Sequence, residues 1–62
     1  MCLSTVYKNA KEPSNMVMSN VQSIELQEGQ ILLTDLMERQ MVVVGELVSV
    51  DLVGGVAIVK EA

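Results

Sequence analysis

Apolar and polar residues alternate along most of this 62-residue chain, and turn residues divide the alternation into five segments. A period of two sends successive side chains to opposite faces of a strand, so each segment reads as β. The first is Cys2 to Lys8, with Leu3, Thr5 and Tyr7 on one face. Asn9 to Asn15 carries Pro13, charge and two asparagines, which is loop chemistry. The second strand runs from about Met16 to Leu26. Its apolar spacing shifts between Val21 and Ile24, which predicts a bulge near Ser23. Glu28-Gly29 is the next turn.

Gln30 to Asp35 is the third strand, and Leu36 to Arg39 turns the chain or forms a short helical turn. The fourth strand is long, Gln40 to Leu52, with Val42, Val44, Val48, Val50 and Leu52 in one alternating register. Gly45 interrupts it where strands avoid glycine, so a bend is expected there, letting one strand serve two parts of a curled sheet. Gly54-Gly55 then turns tightly into Val56 to Val59. The pattern predicts an all-β fold: a small, five-stranded, SH3-like, partly open barrel, one domain over residues 1–62.

Composition supports strands. There are eleven Val, seven Leu, three Ile and five Met but no Phe or Trp, and Tyr7 is the only aromatic residue. β-Branched side chains suit a pleated, half-buried surface. The run from Met41 to Val59 is long enough to cross a bilayer, but it holds Glu46, Asp51 and three glycines. A carboxylate near mid-membrane costs on the order of 3 kcal/mol, so two strands and a turn are expected and no membrane span. Only Met1 precedes Cys2, which leaves no room for a signal peptide and predicts a cytoplasmic protein with a reduced thiol.

So small a chain buries only about 60% of its unfolded surface, and such scaffolds lean on a disulfide, a metal or a partner. A single cysteine excludes an internal disulfide. Edge strands of an open barrel offer unpaired backbone groups to a second copy, so a homodimer is expected over a monomer. The net charge of −4 and the scatter of Lys8, Lys11, Arg39 and Lys60 argue against a nucleic-acid partner.

The candidate chemistry is narrow. Histidine is absent, serines and threonines have no activating partner, and the carboxylates do not pair, so no catalytic site is expected. Asp35, Glu38, Glu46 and Asp51 read as solubility and edge protection, and the methionines as core and edge filling. Cys2 has two readings. It is a small apolar residue opening a strand, or its thiolate acts with the neighbouring main-chain nitrogens as a chelate. With Met1 retained, the Met1 amine, the Cys2 amide nitrogen and the Cys2 sulfur close two five-membered rings; without it, the Cys2 amine and sulfur close one. Two copies would then supply two nitrogens and two sulfurs. Planar, nitrogen-rich sites select Ni(II) or Cu(II), whereas structural zinc wants four tetrahedral Cys or His ligands.

The opening Met1-Cys2-Leu3-Ser4-Thr5-Val6-Tyr7 resembles the start of the CooT family, small cytosolic proteins that accompany carbon monoxide dehydrogenase maturation. The likeness continues through Val17 to Val21, Gly29 to Leu36 and Val48 to Val53. It implies an SH3-like homodimer that binds Ni(II) through Cys2 and the adjacent Met1 nitrogen, delivering or storing the ion for a nickel enzyme. Gly54-Gly55 stands where a more polar turn would be expected, so no ligand is assigned there. The competing reading is an SH3-like module for RNA or a protein, with Cys2 structural; the acidic surface favours a basic protein over RNA, and a single aromatic offers little to stack on.

Overall fold

The computed structural model describes residues 3–62. Five strands follow one another: β1 (Ser4–Lys8), β2 (Met16–Gln27), β3 (Gln30–Asp35), β4 (Gln40–Asp51) and β5 (Val56–Glu61), with a single 3-10 turn at Pro13–Asn15. The fold is all-β, as the alternation predicts. Among the described residues no helix is long and apolar enough to cross a membrane.

Two strands of 12 residues organise the barrel, because each changes partner midway. β2 pairs with β1 from Met16 to Val21 and with β3 from Val21 to Gln27. β4 pairs with β3 from Gln40 to Val44 and with β5 from Gly45 to Asp51. These four-way hairpin contacts are antiparallel. β1 and β5 then pair in parallel, Thr5 with Val56 through to Lys8 with Val59, and complete the ring. The barrel is therefore closed where an open edge was expected, because the first and last strands lie side by side. Openness survives in another form. Along each half of β2 and β4 only one edge is taken by a neighbouring strand among the described residues.

The core is small and almost wholly β-branched or aliphatic: Val6, Val21, Ile31, Leu33, Val43, Ala57 and Val59, with Val17, Met18, Ile24 and Leu47 packed against it. β3 shows the alternation most cleanly, burying Ile31, Leu33 and Asp35 and leaving Gln30, Leu32 and Thr34 half-buried on the outer face. Each fully buried Ile, Leu or Val contributes about 1.5–3 kcal/mol relative to exposure. On β1 the buried residue is Val6, so the face carrying Thr5 and Tyr7 looks outward.

Bulges decide which face each apolar residue reaches. Val21 pairs with Asp35 but Ser23 with Thr34, so Gln22 is the extra residue of the bulge expected near Ser23. A bulge in β4 was not foreseen. Leu47 pairs with Val59 and Ser49 with Ile58, which makes Val48 the extra residue and flips the alternation beyond it. Val44, opposite Gln30, therefore faces outward, whereas Val50, opposite buried Ala57, faces the barrel interior. The single valine register read from the sequence is split in two, because one inserted residue exchanges the faces of everything after it.

The Leu36–Arg39 connection is a turn, with Glu38 at φ 64°. A left-handed backbone costs a non-glycine residue about 1–2 kcal/mol. Glu38→Gly should therefore stabilise the barrel, raising Tm by on the order of 4 °C in a thermal melt once the added unfolded-state entropy of glycine is subtracted. An unchanged or lower Tm would show that the glutamate is not strained there.

Candidate functional site at the start of the first strand

Met1 and Cys2, the residues singled out as metal ligands, lie outside the described residues. The described chain starts at Leu3 and enters β1 against the β4–β5 turn. Thr5 donates its backbone N–H to the Gly55 carbonyl at 2.8 Å, which fixes the start of β1 against the β4–β5 turn. Gly55 has φ 68°, and a Cβ there would stand 3.1 Å from the Leu3 carbonyl oxygen. The left-handed backbone angle favours glycine at this position, and a side chain there would also press on the Leu3 carbonyl.

Asp51 holds the turn together. Its carboxylate Oδ1 accepts from the N–H of Val53 at 3.1 Å and of Gly54 at 2.8 Å. Its carbonyl accepts from the Gly55 N–H at 2.9 Å. This is the side-chain turn chemistry typical of aspartate. Asp51 read from the sequence as a solubilising interruption of a strand, and its local role is more specific than that. It shapes the loop against which Leu3 rests.

Beside this turn a cleft of about 350 Å³ opens between the second half of β2 and the second half of β4, lined by Ser4, Ile24, Leu26, Leu47, Val50 and Leu52. It lies where the two half-strands carry free edges. At the opposite corner a second groove, between the first halves of the same strands, is lined by Met16, Met18, Met41, Asp35 and Arg39. Met18 packs on the core there, while Met16 and Met41 stay largely exposed, in keeping with core and edge filling.

Asp35 is the polar residue that sequence reasoning missed. It is the only buried charged side chain among the described residues. Oδ1 accepts from the backbone N–H of Met37 and of Arg39, both at 2.9 Å, and Oδ2 accepts from Arg39 Nε at 2.8 Å. Burial pushes the carboxyl upward, but the hydrogen bonds from Arg39, its charge and the Met37 N–H outweigh that and hold Asp35 below its ordinary value. The available signal was positional: an aspartate at the head of a turn commonly bonds its own backbone two residues on. With its oxygens committed, Asp35 is a structural anchor rather than a base. Among the described residues no group of three or more His, Cys, Asp or Glu is arranged to hold a metal ion.

Fold and site together define a small closed β-barrel with an apolar cleft and a glycine turn beside the start of its first strand. Residues 1–60 match the family model of CooT, the CO dehydrogenase accessory protein. The chain belongs to the CooT family, and with that membership comes an accessory role at CO dehydrogenase. No curated protein matches it at a significant level.

Proposed function

We propose that this protein carries Ni(II) as cargo for CO dehydrogenase maturation, binding it through the Cys2 thiolate and the main-chain nitrogens at Met1 and Cys2. The observation that carries the reading is the family match over residues 1–60, which includes Cys2. Residue chemistry supports it: the chain has one thiol and no histidine, and a thiolate flanked by amine and amide nitrogens suits Ni(II). One chain offers at most three of these donors, so two copies share the ion, each giving its Cys2 sulfur and a nitrogen. The thiol stays reduced and competent in the cytoplasm, where we place the protein. The barrel's part is to hold β1 in register, through the Thr5 to Gly55 hydrogen bond, so that the donor-bearing segment leaves from a fixed point.

Titration with Ni(II) tests this. A sulfur-to-nickel charge-transfer band should grow and saturate near one ion per two chains, and Cys2→Ser should abolish it. Lowering the pH should weaken binding, since protons compete for thiolate and amine. A silent spectrum, or an equal band in Cys2→Ser, would overturn the proposal.

A further inference from the structure

The Gly54-Gly55 pair puts no side chain on the turn between β4 and β5, and each glycine has a separate reason. Gly55 takes φ 68° and offers its carbonyl to the Thr5 N–H at 2.8 Å. Gly54 lies outside the left-handed region, yet a Cβ on it would stand 2.7 Å from Asp51 Oδ2 and 3.2 Å from Asp51 Cγ. The Asp51 carboxylate therefore lies against the Gly54 backbone. Its Oδ1 accepts from the N–H groups of Val53 and Gly54, and the Asp51 carbonyl accepts from that of Gly55. One residue thus closes the whole turn. Both ion pairs among the described residues lie elsewhere, Lys8 with Glu61 and Arg39 with Asp35, so Asp51 serves the turn as an acceptor rather than as a charge.

The turn also governs the entry to β1. Asp51 pairs across to Val56, and Val56 to Thr5, so the three share one row of the barrel. Leu3, whose carbonyl the turn approaches, follows Cys2 directly in sequence. We propose that Asp51 is a positioning residue for metal uptake: by closing the turn it fixes the Gly55 carbonyl, and with it the backbone from Leu3 to Thr5 that leads on from the donor residues. This role rests on the nickel reading and goes beyond it, because Asp51 is no donor there. A chelate binds more tightly when the backbone beside its donors is ordered before the ion arrives. Leaving one residue's backbone to be ordered on binding weakens affinity by on the order of tenfold. An asparagine offers the same acceptor oxygen to the same N–H groups, so it preserves the turn while removing the charge.

Ni(II) titrations on wild type, Asp51→Ala and Asp51→Asn test the assignment, with amide hydrogen exchange measured on the same proteins free of metal. Asp51→Ala should bind Ni(II) about tenfold more weakly, with a charge-transfer band of unchanged position because the donors are the same. Its Thr5 amide should exchange faster, and by a larger factor than the amide of buried Leu33, which reports opening of the whole fold. Asp51→Asn should stay near wild type in both respects. If Asp51→Ala does not fold, Gly54→Ala, whose Cβ displaces the Asp51 carboxylate, should weaken binding and speed Thr5 exchange in the same sense. Unchanged affinity in the variant that folds would overturn the proposal, as would a Thr5 amide that accelerates no more than Leu33. An Asp51→Asn as weak as Asp51→Ala would overturn it too, since the charge and not the turn would then set affinity. These outcomes leave the nickel reading standing, whereas a wild type without a nickel band overturns both.

Discussion

Gly45→Val should leave the chain largely or wholly unfolded. Gly45 has φ 152°, and a Cβ placed on it would fall onto the Lys60 carbonyl oxygen and come within 2.9 Å of the Glu61 Cα. These neighbours are backbone, so they cannot swing aside as a side chain could. The residue is also where β4 exchanges partners, donating its N–H to the Gly29 carbonyl at 3.0 Å while pairing across to Glu61. Overpacking costs about 1–3 kcal/mol and a strained backbone about as much again. A chain of this size has roughly 3–9 kcal/mol of stability in total. The two quantities are comparable, so valine removes most or all of the margin. Circular dichroism and a proton–nitrogen correlation spectrum would check this; a well-dispersed spectrum with Tm within a few degrees of wild type would refute it.

The second large effect is expected at Asp35. Asp35→Ala removes the acceptor of two backbone N–H groups and of the Arg39 side chain, freeing the turn that joins β3 to β4. Tm should fall by on the order of 10 °C in a domain this small. The acid response gives a separate signature. Asp35 is held below its ordinary value in the fold, so the unfolded chain takes up its proton first as pH drops. Its contribution is therefore complete above the ordinary carboxylate range and is lost as pH falls through the lower, folded value. Asp35→Asn, which keeps the shape but not the charge, should flatten the acid side of the stability curve. A variant whose acid unfolding tracks wild type would show that other carboxylates govern it.

Much of this architecture was legible because turn residues and apolar alternation act locally. β3 runs from Gln30 to Asp35 as its pattern predicts, the bulge falls at Gln22 beside Ser23, and β4 exchanges partners at Gly45. What escaped detection depends on which strands meet. The Val48 bulge is invisible in a run of valines, since any of them can be the extra residue. Ring closure is equally silent, because alternation says which face a side chain takes and nothing about which edge is paired. Asp35 was read as solvated because a carboxylate is rarely buried; three donors on its own turn reverse that expectation. The candidate site was legible only as chemistry. Cys2 stood out as the lone thiol, but the Asp51–Gly55 turn that supports the start of β1 is a property of three-dimensional contact.

The parallel pairing of β1 with β5 has a kinetic consequence. Thr5 meets Val56 across most of the length of the chain, so the ring cannot close until nearly all intervening residues are ordered. Contacts of such long sequence separation demand their loop entropy before they return any stability, and they slow folding. A half-formed barrel would leave Val6 and Val59, both fully buried at the end, in water together. Assembly should thus be slow and cooperative, and the start of β1 gains its anchor at Gly55 only as the ring closes.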